Sequence, residues 1–227
     1  MKILSIGKEL VYNGLDIVST TMGSLTQIED INKYEYIVIN GGDGSIRRAL
    51  QYLHTLPITP KYILNPTGSC NVVAKIHRVA PIESVLKQLV NNNESIQIEE
   101  HQINKLNDKI FLFSAGNMGD LQHIFISETL RFGILKKGML KYILAVLFLF
   151  PIHLIMTPFM LLSPNRFFIF TPLFFIKKFG NFYGEVPNIT IDLENDYNLI
   201  ELDGDLVTIY NQHLEIKPVK KISIVVR

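Results

Sequence analysis

The residues best suited to chemistry in this chain are Gly41, Gly42, Asp43, Gly44 and Ser45, placed directly after Asn40 and an apolar stretch at 36–39. That stretch predicts a buried strand, and Ile46, Leu50 and Leu53 then recur at helical spacing. The glycines therefore turn a strand into the start of a helix. Glycines without a β-carbon let backbone N–H groups come close to anionic oxygens, and the free N–H groups of a helix start favour negative charge, so the turn suits phosphate. Asp43 repels bare phosphate and would act through Mg²⁺ or by a hydrogen bond to a nucleotide. Taken alone, a Gly-Asp-Gly sequence is also an ordinary chain reversal.

The device occurs twice. Tyr62-Ile63-Leu64 leads into Asn65-Pro66-Thr67-Gly68-Ser69-Cys70-Asn71, after which Val72, Val73 and Ile76 open another helix. Two such loops, each following a strand, would lie side by side at one edge of a parallel sheet, where ligands bind outside the carboxyl ends of the strands. Thr67, Gly68, Ser69 and Asn71 then offer short polar groups to one nucleotide. Farther on, Asp203-Gly204-Asp205 follows an expected strand at 199–202. A carboxylate there can orient and deprotonate a hydroxyl, and the same residues also suit a hairpin turn.

These groups need a scaffold. Residues 2–6, 36–39 and 62–64 read as short buried strands of a sheet covered on both faces, with a third helix over 81–90 ending before Asn91-Asn92-Asn93. Beyond about 95 the pattern changes to strands at 96–100, 110–113, 189–193, 199–202, 214–217 and 222–226. The expected architecture is an α/β nucleotide-binding domain over 1–95 and a mainly β acceptor domain over 96–227, sharing a cleft. An apolar helical insertion at about 130–184 interrupts the second domain.

The run GGDGS followed by NPTGSCNVVAK resembles the diacylglycerol kinase catalytic family, which includes sphingosine, ceramide and bacterial lipid kinases and is related in fold to NAD kinases. The family pattern is GGDGT, then P-x-GT-x-N-x-x-A. The resemblance implies ATP and Mg²⁺ as cofactors and a diacylglycerol-like or sphingoid lipid as acceptor. Gly41, Gly42, Asp43, Gly44, Ser45, Thr67, Gly68, Ser69 and Asn71 would bind nucleotide. Asp203-Gly204-Asp205 matches the family's Asp-Gly-Glu, which assigns Asp205 as proton acceptor with Asp203 in support and Asp43 beside them in catalysis. Asp120 matches a position that faces the acceptor, and in a loop it can equally cap the next helix.

The chain also departs from the pattern. Ser45 replaces Thr, Arg48 stands where Glu is usual, and Asp205 is one methylene shorter than Glu; Arg47 and Arg48 either contact phosphate or form a solvated helix face. The Asn-Pro-x-Ser-Gly element of the first strand is missing, which leaves Thr21 as the remaining upstream contact. No metal ligand set can be named. A soluble NAD kinase-like enzyme and an inactive lipid-binding relative are the alternative readings.

Composition adds a location. Cys70 is the single cysteine, so no intrachain disulfide forms and a reducing, cytoplasmic compartment is expected. Net charge is +1, but residues 129–184 contain no Asp or Glu and hold seven cations: Arg131, Lys136, Lys137, Lys141, Arg166, Lys177 and Lys178. The rest of the chain carries 15 cations against 21 acids. Residues 142–162 lack any charge, yet contain Pro151, His153 and Pro158. A single membrane span there would separate Asp203 and Asp205 from the glycine loops. The expectation is therefore one-leaflet insertion at the inner face of an anionic membrane, with a buried core helix as the alternative and no nucleic acid as partner. The six histidines show no ligand spacing, and Asp192-Leu193-Glu194-Asn195-Asp196 has Tyr197 where a calcium loop requires Gly.

Overall fold

The computed structural model describes residues 1–91, 96–117, 143–144, 147–148, 150–151, 165–172, 181–183 (backbone only) and 186–226. The chain forms two units, one of Met1–Ile103 with Val219–Arg227 and one of Asn104–Pro218.

In the first unit, β1 (Lys2–Ile6), β2 (Asp16–Thr20), β3 (Tyr36–Gly41) and β4 (Lys61–Pro66) form a parallel sheet in the order β2-β1-β3-β4. The end of β13 (His213–Val225) joins β4 in parallel through Ser223↔Lys61 and Ile224↔Tyr62. One row of side chains, Ile3, Val38, Ile63 and Val225, packs with Val85, Leu86 and Leu89 of α3 (Ile82–Val90). The other row, Leu4, Ile37, Ile39, Tyr62 and Leu64, is equally buried, and α1 (Asp43–Leu53) packs on β3. Burial on both faces explains why these strands read as continuous apolar runs. Leu50 and Leu53 anchor α1 with no exposed surface, so truncating either to Ala would cost about 2–5 kcal/mol. The five-residue α2 (Val72–Ile76) follows the second loop.

The second unit contains a five-stranded sheet ordered β12-β11-β7-β8-β9, built from β7 (Ser114–Gly116), β8 (Phe168–Phe170), β9 (Asn181–Tyr183), β11 (Tyr197–Leu202) and β12 (Asp205–Tyr210). Only its β8–β9 pairing is parallel. β10 (Ile189–Asp192) pairs with the start of β13, and the end of β5 (Ile98–Leu106) pairs with β6 (Lys109–Phe111). Phe111, Phe167, Ile169, Ile200, Leu202, Leu214 and Ile216 form the core.

Several expectations change. The strands expected at 214–217 and 222–226 are one, β13, in which Pro218 falls where the chain passes between units and lacks an N–H to pair. The division is not at 95: β5 carries the first unit to Ile103, and the last nine residues return to it because β13 ends beside β4. Strands β2, β7, β8, β9 and β12 were not anticipated. The insertion at about 130–184 lies largely outside the described residues. Among those described, no helix is long and apolar enough to cross a membrane.

Candidate functional site

Both glycine loops leave the carboxyl ends of adjacent parallel strands, as the sequence predicts, and the register Gly41↔Pro66 sets them side by side. They touch backbone to backbone. A β-carbon on Gly42 would stand 3.0 Å from Gly68 Cα, and one on Gly68 would stand 2.6 Å from Gly42 Cα. No larger residue fits at Gly68 without moving one loop. The Thr67 N–H donates to Gly41 O at 3.1 Å, while Asn71 closes its own loop, accepting from Gly68 N–H at 3.0 Å and donating to Gly68 O at 2.8 Å. Asn71 adopts φ +51°, a left-handed conformation that Asn tolerates better than most residues.

Asp43 is the main correction. The sequence offers it to Mg²⁺ or a nucleotide; it is instead buried, with 7 % exposure, and bonded within the protein. Its Oδ2 accepts the Val72 N–H at 2.8 Å and its Oδ1 accepts the Val73 N–H at 3.1 Å. The carboxylate thus caps α2 from the first turn of α1. Burial pushes its pKa up, and the two N–H bonds, with a smaller contribution from Lys75, oppose the shift. The start of α2, expected to meet phosphate, already meets Asp43. The start of α1 remains for an anion, where the Gly44 N–H is among the groups that a helix does not bond internally.

The same edge is braced by an amide ladder that sequence reasoning missed. Asn40 donates to Ser5 Oγ and Ile6 O, both at 3.0 Å, and accepts from Asn65 Nδ2 at 2.7 Å, tying the ends of β1, β3 and β4. Thr21 follows β2 at this edge, its Oγ1 donating to Ser24 Oγ at 3.1 Å and accepting from Ser24 N–H at 3.2 Å. The exposed Arg48 reaches Ser45 Oγ at 3.4 Å along α1. Thr67, Ser69 and Asn71 all stand on the second loop.

In the second unit, Asp203 and Gly204 form the two-residue turn joining β11 to β12, both with positive φ (+52° and +85°). This is the hairpin geometry for which Asp-Gly is preferred. Asp203 is 4 % exposed. Its carboxylate accepts N–H groups from Leu112 and Phe113 at 2.8 Å and from Ser114 at 3.1 Å. Burial pushes its pKa up to about 7, the nearby Glu201 adds to the rise, and the three N–H bonds oppose it. The buried Glu201 accepts from Ser114 Oγ at 2.8 Å and from the Gly204 N–H. Asp203 is therefore a holding group facing backbone, and the half-buried Asp205 begins β12 beyond the turn it fixes. Asp120 lies outside the described residues.

No group of three or more His, Cys, Asp or Glu side chains capable of holding a metal occurs among the described residues. Each Asp43 oxygen already accepts one N–H group and the side chain is buried, which leaves a single lone pair per oxygen for a cation or nucleotide.

Residues 16–100 match the profile of the diacylglycerol kinase catalytic domain. None of the curated proteins matches the sequence. Among solved structures, a proposed diacylglycerol kinase from Bacillus anthracis str. Sterne superposes with a TM-score of 0.61 at 12 % identity, covering 100 % of this chain and 95 % of that one. Two further structures of diacylglycerol kinases, one of them also a proposed assignment, from the same organism give TM-scores of 0.57 and 0.55 at 13 % identity, covering all of this chain and 96 % and 97 % of theirs. The two-loop region belongs to the diacylglycerol kinase catalytic-domain family, and the fold of the whole chain is that of these bacterial proteins.

Proposed function

We propose that this protein is an ATP-dependent lipid kinase acting on a hydroxyl of a diacylglycerol-like or sphingoid lipid. The observation that carries the reading is the pair of loops pressed together at Gly42 and Gly68 on one edge of a parallel sheet. Backbone N–H groups at the start of α1 hold the phosphates of ATP, and Arg48 adds a cation. Mg²⁺ bound with the nucleotide would neutralise phosphate charge. Catalysis comes mainly from positioning and charge stabilisation.

Asp205 takes the proton of the lipid hydroxyl as that oxygen bonds to the γ-phosphorus. The bond from that phosphorus to the β–γ bridging oxygen breaks, and ADP leaves. Asp203 acts by fixing the turn before Asp205. Asp43 acts by locking the two loops together.

The acceptor is reached from the inner face of an anionic membrane. Ile143, Leu147, Phe148 and Phe150 are each more than half exposed, an apolar surface inside the segment that carries seven cations. Transfer of label from γ-labelled ATP to lipid in mixed micelles, with NAD as control acceptor, tests the assignment.

A further inference from the structure

The described residues include a buried chain of titratable groups that the proposed reaction does not use. His77 Nδ1 lies 2.7 Å from Glu99 Oε2, and His77 Nε2 lies 2.9 Å from His101 Nδ1. The imidazoles are 7 % and 8 % exposed and meet edge to face, with centroids 5.0 Å apart. Glu99 is more than half exposed and gives the chain its end in water.

The position of His77 links this cluster to the second loop. His77 closes α2 through its N–H bond to Val73 O at 3.2 Å, and Arg78 then reverses the chain at φ +49°. Five-residue α2 is thus pinned at its start by Asp43 and at its end by His77. An isolated helix of one turn has almost no stability of its own, so these two anchors, together with the buried Val73 and Ala74, hold α2 and the loop before it in place.

The proton count limits the cluster. With both imidazoles neutral, His77 donates to Glu99 and accepts from His101. With one added proton, His77 donates to both partners. With two, N–H groups face each other across 2.9 Å and the contact breaks. Among the described charged groups, Lys75 and Arg78 flank His77 on its own segment. Glu99 and His101 reach it from β5. Glu100, on the opposite row of β5, pairs instead with Lys221 at 3.1 Å.

We propose that Glu99, His77 and His101 are positioning residues for the second phosphate loop, holding α2 while the two imidazoles carry at most one added proton and releasing it when both are charged. This rests on the nucleotide-binding reading of the loops.

The test measures affinity for the non-hydrolysable ATP analogue AMP-PNP across pH 5–8, together with hydrogen-exchange protection of residues 72–76. Wild type should lose affinity and protection together on acidification, by between roughly 2- and 30-fold. His101→Gln should flatten both profiles, because the amide can turn to accept from a charged His77. His77→Ala should weaken both at every pH. An unchanged pH profile in His101→Gln, or unchanged protection in His77→Ala, would overturn the proposal. If wild type binds no AMP-PNP, the nucleotide reading fails, and the protection profile alone still decides whether the latch exists.

Discussion

The carboxylate of Asp43 accepts the backbone N–H of Val72 at 2.8 Å, so the first residue of one helix caps a second helix 29 positions later. That bond joins the two glycine loops and turns an expected ligand contact into a structural one.

Replacing Asp43 with Ala should leave the Val72 and Val73 N–H groups without their acceptor inside the protein. The expected loss is about 1–3 kcal/mol of stability, with weaker nucleotide binding as the loops part. Asp43→Asn keeps one acceptor oxygen and should fall between. Urea midpoints check this, and an Ala variant with the wild-type midpoint would exclude the role.

Gly68→Ala introduces a β-carbon 2.6 Å from Gly42 Cα and should reduce nucleotide affinity by more than about tenfold through displacement of one loop. Gly204→Ala is the useful contrast. Nothing lies within 4 Å of a β-carbon there, so its cost is the conformational strain of φ +85°, about 1–2 kcal/mol, with nucleotide affinity unchanged. Calorimetric titration of both variants separates the two effects.

Asp203 has a folded pKa near 7, above the 3.8 of an ordinary Asp. The folded state therefore holds a proton that the unfolded chain has released, and this contribution to stability is full below about pH 4 and lost as pH rises toward 7. Asp203→Asn removes that titration while setting an NH₂ against backbone donors. The stability advantage of wild type over Asp203→Asn should shrink from pH 4 to pH 7, measured by chemical denaturation. An advantage that grows over that interval would show the carboxylate to be stabilised in its charged form.

Asp205→Asn should lower turnover by roughly 10² to 10⁴ with nucleotide affinity preserved, the usual range for removal of a general base. Near-normal turnover in a folded variant would place proton transfer elsewhere.

The strands β1, β3 and β4 were legible because burial on both faces writes an uninterrupted apolar run, and the glycine loops were legible because they follow those runs. Which way Asp43 points was not. Its partners lie 29 and 30 residues away, and nothing local marks a carboxylate as a remote helix cap. The same holds for His77, Glu99 and His101, which sequence spacing separates and the sheet brings together. Asp203 was ambiguous in sequence between chemistry and hairpin turn, and its backbone contacts favour the turn. β2 escaped notice because it is an edge strand of mixed polarity, mostly exposed, whose alternation is too short to register. β13 was split in two because Pro218 reads as a strand end, although it is accommodated where the strand leaves one unit for the other.

The most direct measurement is incubation of the full chain with γ-labelled ATP, Mg²⁺ and mixed micelles containing diacylglycerol, sphingoid bases or NAD, followed by identification of the labelled product. The account predicts label on a lipid hydroxyl, absent from NAD and reduced by at least about 10² in Asp205→Asn. Label on NAD alone, or saturable ATP binding with no labelled lipid in any micelle, would contradict it.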